Sequence, residues 1–136
     1  MNRRIDRLVR ARASDLCEYC RFPESYSEVR FVIDHIIAKQ HRGRSSTVNL
    51  ALACAFCNRH KGPNVGGVDP RTHRHTRLFN PRKDRWRDHF RWRSEKLVGL
   101  TAIGRATIVV LAMNHKDQLR ARRALIRDGE FPSELT

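Results

Sequence analysis

The sequence predicts an α+β fold, because strand-like and helical patterns occupy separate stretches of the chain. A run rich in β-branched residues extends from Val29 to Ile37 and indicates a strand. Apolar residues recur at helical spacing near both ends of the chain. Two C-x-x-C pairs flank the strand-like run. With 136 residues, we expect one domain over 1–136 with a modest hydrophobic core.

An amphipathic helix is predicted over residues 2–16. Ile5, Leu8, Val9 and Leu16 fit one apolar stripe, and most of the neighbouring arginines lie outside it. The helix should therefore pack on the core with a solvated basic face. Phosphate contacts from that face are compatible with the same interpretation.

The middle of the chain predicts a loop, a second strand and a short helix. Residues 38–47 form a polar basic loop, and Val48–Leu52 is a second short strand or an extended turn. Cys54–Lys61 predicts a cysteine knuckle that continues into a helix. Gly62 and Pro63 should end this helix, since glycine suits a left-handed cap and proline cannot continue a helix.

A mainly helical C-terminal extension is expected over residues 63–136. It begins with a connection over 64–80 that is rich in glycine, proline and asparagine and has little periodicity. A helix is predicted from Thr101, which is a candidate N-cap, and another over Lys116–Arg127.

Residues 82–96 of the extension mix arginines with aromatic residues, and their pattern is ambiguous. Trp86 and Phe90 fit a helix, whereas Phe90 and Trp92 fit a strand. These rings could pack on the core while the neighbouring guanidinium groups face a phosphate backbone, or the arginines could simply be solvated.

The charge balance favours an acidic polymer as the partner. The formal net charge is +14, from 28 Lys and Arg against 14 Asp and Glu, and it is spread along the chain. Nucleic acid, here DNA, is the expected partner. No apolar run approaches the roughly 20 residues that cross a bilayer, and the arginine-rich start lacks a signal-peptide pattern. We therefore expect a cytoplasmic protein with no membrane partner.

Cys17, Cys20, Cys54 and Cys57 predict one structural Zn²⁺ per chain. In the cytoplasm, paired C-x-x-C knuckles are more often metal thiolates than disulfides, and zinc takes four tetrahedral ligands. Unrelated buried cysteines and two redox pairs are the weaker interpretations, since the spacings match and no thioredoxin-like βαβ pattern surrounds them. Four thiolates leave no open position for water, so any hydrolysis should occur elsewhere.

Residues 17–62 resemble the HNH endonuclease family, which cleaves DNA with a ββα-metal core. The likeness rests on the two cysteine pairs, I-D-H-I-I-A-K from Ile33, the isolated Asn49, and C-A-F-C-N-R-H-K ending at Lys61. The later motifs G-V-D-P-R-T and L-F-N-P-R-K-D-R-W-R-D-H-F look like an extension found on small stand-alone bacterial and phage HNH proteins. The resemblance therefore implies a zinc-bound ββα-metal core, preceded by a helix at 1–16 and followed by the extension.

The resemblance also implies roles for four residues. His35 is the general base, and an imidazole suits that task because it titrates near neutral pH. Asp34 and Asn58 bind one divalent ion, and Asn49 hydrogen-bonds the hairpin that carries the base. Relatives commonly carry histidine where this chain has Asn58. The amide oxygen favours Mg²⁺ or Mn²⁺ over zinc or nickel.

Two questions of geometry accompany these roles. Adjacent residues on a strand face opposite sides, so Asp34 and His35 flank one phosphate only if the strand bends or ends there. His60 is an alternative to Asn58, but two residues turn a helix by about 200°. Phosphate contact is the better expectation for His60. The predicted DNA-binding residues are Lys39, Arg42, Arg44, Arg59, His60 and Lys61.

The sequence thus predicts a metal-dependent DNA endonuclease that hydrolyses phosphodiester bonds. The alternative is a non-catalytic, zinc-stabilised basic module for DNA binding or assembly. A zinc nucleobase deaminase is disfavoured, because that chemistry needs H-x-E and P-C-x-x-C, and the chain has neither.

Overall fold

The computed structural model describes residues 2–133 and has the predicted α+β fold. Its helices are α1 (Arg3–Arg12), α2 (Ala55–Lys61), α3 (Trp86–His89), α4 (Ala102–Val110) and α5 (Lys116–Arg127). Its strands are β1 (Val32–His35), β2 (Leu50–Ala53), β3 (Gly66–Val68), β4 (His75–Arg77), β5 (Phe90–Arg93) and β6 (Lys96–Gly99). Consecutive strands pair as three antiparallel hairpins, β1–β2, β3–β4 and β5–β6. Every helix in the described residues is too short or too polar to cross a lipid bilayer.

The first helix is shorter than predicted over 2–16, because α1 ends at Arg12. Ser14 and Asp15 both take left-handed backbone conformations, with φ of 54° and 57°. This tight reversal brings the first cysteine knuckle, which begins at Cys17, back over the core. Leu16 fits the apolar spacing of the helix but lies beyond its end.

A residue on α1 braces the first hairpin. The guanidinium of Arg12 donates to the carbonyl oxygens of Thr47 and Leu50, at 2.9 and 2.7 Å. These carbonyls lie on either side of Asn49. This part of the basic face of α1 therefore has a structural task.

Strand β1 covers only the centre of the run predicted over Val29–Ile37. It pairs with β2 in a register that sets Asp34 opposite Ala51 and His35 opposite Leu50. Val29 is 59% exposed and lies outside the strand. The chain leaves the ladder after His35 because Asn49 takes over the hydrogen bonding there.

Aromatic residues of the extension pack on the first hairpin and its knuckles. Trp86 and Phe90 are buried, as the pattern predicts, and the Trp86 indole donates to the Tyr19 carbonyl at 2.8 Å. The ambiguous segment 82–96 contains both a helix and a strand. Helix α3 ends at His89, and β5 begins at Phe90. The extension therefore shares a hydrophobic cluster with the cysteine-bearing segment.

The β3–β4 hairpin was not predicted within the connection over 64–80. Its turn is built around the fully buried carboxylate of Asp69, which accepts from the Arg71 amide, the Thr72 hydroxyl and two nitrogens of Arg105. Hydrogen bonds from Arg105 hold the pKa of Asp69 well below its usual value. The ion pair, at 2.9 Å, ties this turn to α4.

The last two helices agree with prediction. Thr101 caps α4 through its hydroxyl, which accepts from the Gly104 amide at 3.0 Å. Helix α5 has the predicted bounds, Lys116–Arg127.

Candidate active site and zinc centre

The four cysteine sulfurs form one buried cluster, with all four Sγ atoms within 4.8 Å of one another. Cys20 Sγ and Cys54 Sγ are 3.8 Å apart. A tetrahedral zinc with Zn–S bonds of about 2.3 Å requires sulfurs about 3.8 Å apart. Burial opposes ionisation of Cys17, but hydrogen bonds from the other three cysteines outweigh it and hold its pKa well below the usual value. The donor set and its spacing fit a structural zinc-type site.

This cluster joins the two ends of the β1–β2 hairpin. The first knuckle precedes β1, and Cys54 caps α2 by accepting from the Cys57 amide at 3.3 Å. Glu18, between the first two cysteines, exchanges hydrogen bonds with the backbone of Leu52 on β2, both at 2.8 Å. A zinc ion here would fix where α2 leaves the hairpin.

Asp34 and His35 point to opposite faces of β1. Both lie within the regular ladder, where the Asp34 side chain is buried and His35 is half-buried. β1 ends at His35, so the strand end that would let the two side chains flank one phosphate comes directly after this pair. A shared phosphate between Asp34 and His35 stays a prediction.

Buried partners surround the Asp34 carboxylate. The Tyr19 hydroxyl donates to Oδ2 at 2.7 Å, and the Lys61 ammonium lies 3.2 Å from Oδ2 and 3.4 Å from Oδ1. Burial raises the pKa of Asp34 above its usual value, and Lys61 and Tyr19 oppose that rise. Burial and Asp34 also keep the pKa of Tyr19 well above its usual value, so this phenol remains a donor.

Lys61 is not a surface residue. Its side chain is 2% exposed, and its ammonium also donates to the His35 carbonyl at 3.1 Å. The prediction of a phosphate contact by Lys61 does not fit this position. Lys61 instead fastens the end of α2 to β1.

The His35 imidazole lies beside the loop that follows β1. Its Nε2 is 2.9 Å from the Ser45 hydroxyl, a partner that no sequence pattern indicated. Burial, followed by the positive charge of Lys39, lowers the pKa of His35 below its usual value. The ring is therefore neutral at neutral pH, which is the state that a general base needs.

Asn49 braces the loop next to His35. Its amide oxygen accepts from the Ile37 amide at 2.9 Å, and its nitrogen donates to the carbonyls of Ile37 and Arg44, at 3.0 and 2.8 Å. The loop passes so close that a Cβ at Gly43 would lie 1.6 Å from the Ile37 oxygen. Only glycine fits there, so Asn49 and Gly43 together set the shape of the loop.

Asn58 lies one helical turn before Lys61 on α2, so the two side chains share a face of the helix. Within residues 2–133, no group hydrogen-bonds the side-chain amide of Asn58. The His60 side chain packs on Phe56 instead of lying on the face of Asn58 and Lys61. The centroids of the His60 and Phe56 rings are 4.1 Å apart, and His60 Nδ1 lies 2.9 Å from the Phe56 carbonyl oxygen.

The remaining predicted DNA-binding residues lie at the surface. Lys39, Arg42, Arg44 and Arg59 are exposed, and His60 is half-buried. Arg59 packs its guanidinium over Phe56, 5.7 Å from the ring centroid.

Comparison with known proteins identifies the segment that contains these residues. Residues 17–64 match the family model HNH endonuclease. The resemblance found in the sequence is thus confirmed over this stretch, which we call the HNH segment. No curated protein and no solved structure matched the chain. The family indicates nuclease activity and a nucleic-acid substrate in general terms.

The sequence patterns did not single out Tyr19, Glu18 or Ser45. Glu18 and Tyr19 are the two residues between the cysteines of the C-E-Y-C knuckle. The side chains of both hydrogen-bond residues of the β1–β2 hairpin. That placement could have signalled them. Ser45 lies in a polar loop whose course depends on Asn49, and nothing in the local sequence distinguishes it from Ser46.

Proposed function

We propose that this protein is a metal-dependent DNA endonuclease that hydrolyses phosphodiester bonds in the HNH segment. The observation that carries the proposal is the packing of α2 on β1. The helix face that bears Asn58 and Lys61 meets Asp34, with Lys61 Nζ 3.2 Å from the carboxylate. This packing of the helix that carries Asn58 against the strand that carries Asp34 supports the proposal.

His35 acts as the general base in this proposal. The role requires the tautomer in which Nε2–H donates to the Ser45 hydroxyl, 2.9 Å away, because Nδ1 then keeps the lone pair that accepts a proton from the attacking water. Asn49 holds the loop that carries Ser45, so it positions the ring without touching the substrate. The lowered pKa keeps the ring unprotonated before the reaction.

Asp34 and Asn58 would hold one Mg²⁺ or Mn²⁺. Their carboxylate and amide oxygens are hard donors, which these ions prefer, and the Asn58 amide has no competing partner in the described residues. The bound ion would supply positive charge to the phosphate and the leaving oxygen. Lys61 already neutralises Asp34, so a bound ion would share this carboxylate with the ammonium.

A second candidate function is non-catalytic DNA binding or assembly. One observation favours it, namely that the Asp34 carboxylate is buried and already bonded by Tyr19 and Lys61. A protein of this kind would bind DNA and leave it intact under all metal conditions.

Cleavage of supercoiled plasmid DNA separates the two functions. Zinc-loaded protein is incubated in metal-depleted buffer, alone or with magnesium or manganese, so that no chelator removes the structural zinc. We expect nicked or linear DNA only with the added ion. His35→Ala should lose about 10²- to 10⁴-fold in rate while keeping its fold. His73→Ala, at an exposed histidine on the β3–β4 turn, is the matched control and should cleave like wild type.

Intact plasmid at every metal ion would favour the binding module. Equal rates for His35→Ala and wild type would remove His35 from the reaction.

A further inference from the structure

A groove runs between the HNH segment and the C-terminal extension. Two cavities, of about 230 and 300 Å³, open beside β1 and beside its following loop. Ile37, Asn80 and Lys83 line both cavities, so the two cavities adjoin, and together we call them the extension groove. Its first wall comes from the HNH segment, and its second wall comes from the C-terminal extension, including Asn80 and Lys83 of the turn at residues 80–84.

This groove lies next to the proposed base. Ile36 and Ile37, which follow His35 directly, line the first cavity. Arg44 and Ser46 line the second, and Ser45 between them bonds the His35 ring. His35 lines neither cavity, but its neighbours in sequence and the residues on both sides of Ser45 border the groove.

The turn in the second wall is held by hydrogen bonds. Asn80 accepts from the Arg82 amide through its side chain at 2.8 Å, and its carbonyl accepts from the amides of Lys83 and Asp84. The Asp84 carboxylate returns to the Asn80 amide at 2.8 Å. Arg82 anchors the turn to the HNH segment through the buried carboxylate of Glu18. These contacts fix where Lys83 emerges.

Two of the three basic side chains around this turn are paired with a carboxylate, and the third is not. Arg77 is neutralised by Asp84, with two hydrogen bonds of 2.7 and 2.8 Å, and Arg82 is neutralised by Glu18. Lys83 is exposed, and its ammonium makes no ion pair or hydrogen bond with any group in residues 2–133. Because Lys83 lines both cavities, its uncompensated charge lies at the groove.

The groove is basic on both walls. Arg42 and Arg44 line the HNH side, and Lys83 lines the extension side. Throughout the part of the chain that the structure describes, no acidic residue lines either cavity. A concave surface with charge of one sign concentrates the field and attracts a polyanion.

We propose that Lys83 contacts a backbone phosphate of a DNA strand that lies in the extension groove, opposite Arg42 and Arg44. The extension thus supplies one wall of the substrate-binding groove. This inference rests on the proposed function, since it takes the strand to be the substrate of the HNH segment.

Salt-dependent binding tests the contact without requiring cleavage. Zinc-loaded full-length protein, with no added magnesium or manganese, is titrated into a fluorescein-labelled DNA duplex, and anisotropy is followed at several salt concentrations. Each phosphate contact contributes about 0.9 to the slope of log affinity against log salt. Lys83→Gln should lower the slope by about that amount. Between 50 and 200 mM salt, its affinity should fall about 3.5-fold less than that of wild type.

Two further variants make the comparison specific. Lys83→Arg keeps the charge and should keep the wild-type slope. Lys96→Gln removes the same charge from an exposed residue on β6 that lines neither cavity, and it should also keep the slope. The inference is overturned if Lys83→Gln and Lys96→Gln have equal slopes, or if the protein does not bind DNA.

The outcome is separable from that of the proposed function. If the protein cleaves plasmid DNA and Lys83→Gln leaves the salt slope unchanged, this inference alone is contradicted. A protein that never cleaves, yet loses the phosphate contact with Lys83→Gln, would contradict the nuclease and leave the groove as a binding surface.

Discussion

Lys61→Met should destabilise the protein strongly, because it leaves the Asp34 carboxylate buried without its cation. The Lys61 and Asp34 side chains are 2% and 6% exposed, and the ammonium bonds both the carboxylate and the His35 carbonyl. Removing one partner of a buried ion pair costs about 3–5 kcal/mol. Methionine has a similar length and no polar group, so the change isolates the charge.

Urea denaturation of zinc-loaded protein measures this loss. For a slope of about 2 kcal/mol per M, the midpoint should fall by about 2 M. Asp34→Asn in the Lys61→Met background removes the buried carboxylate charge that has lost its partner. The double variant should therefore recover part of the lost stability. Millimolar magnesium should also stabilise Lys61→Met more than wild type, since an ion at Asp34 replaces the missing charge.

Lys39→Met provides the control, because Lys39 is exposed in the adjoining loop. Its free energy of unfolding should change by no more than about 0.5 kcal/mol. If Lys61→Met unfolds at the same urea concentration as Lys39→Met, the ion pair does not stabilise the fold. The account of α2 docking on β1 would then be wrong.

Three other predictions address the rest of the molecule. Wild type should contain about one zinc per chain by elemental analysis, and Cys17→Ser should contain less and unfold or aggregate, whereas a stable zinc-free variant would contradict a structural zinc. Asn49→Ala removes three hydrogen bonds, so amide exchange at Ile37 should accelerate and plasmid cleavage should slow while the fold persists; unchanged exchange would contradict the brace. Arg105→Met should lower the melting temperature at neutral pH. If the difference in melting temperature between variant and wild type stays the same in acid, the pairing with Asp69 is refuted. The pKa of Asp69 is depressed in the folded state, so its contribution is present above about pH 4 and fades as the pH falls further.

The sequence predicted the parts of the fold that depend on local pattern. The helix over Lys116–Arg127 and the Thr101 cap follow from spacing and capping chemistry within a few residues. The β3–β4 hairpin was missed because both strands are only three residues long and β3 begins with Gly66 and Gly67, which give no alternation. Its stability comes from Asp69 and the distant Arg105, a pairing that no local window contains.

The candidate site shows the same division. The spacing of the cysteines predicts their cluster, because zinc ligation imposes a fixed geometry on knuckles far apart in sequence. The burial of Lys61 was not foreseen, because a lysine that ends a basic run usually faces solvent. Its position depends on how α2 packs against Asp34 and on the Tyr19 hydroxyl, which are long-range contacts.

The most direct test of the proposed metal site is a metal series with Asn58→His. Plasmid cleavage by wild type and by this variant is measured with magnesium, manganese, cobalt, nickel and zinc as the added ion. Wild type should favour magnesium and manganese, because Asp34 and Asn58 offer only oxygen donors. A softer nitrogen ligand should extend activity of the variant to cobalt, nickel or zinc. If the metal preference is the same in both proteins, Asn58 does not bind the ion, and the active site proposed for the HNH segment is in the wrong place.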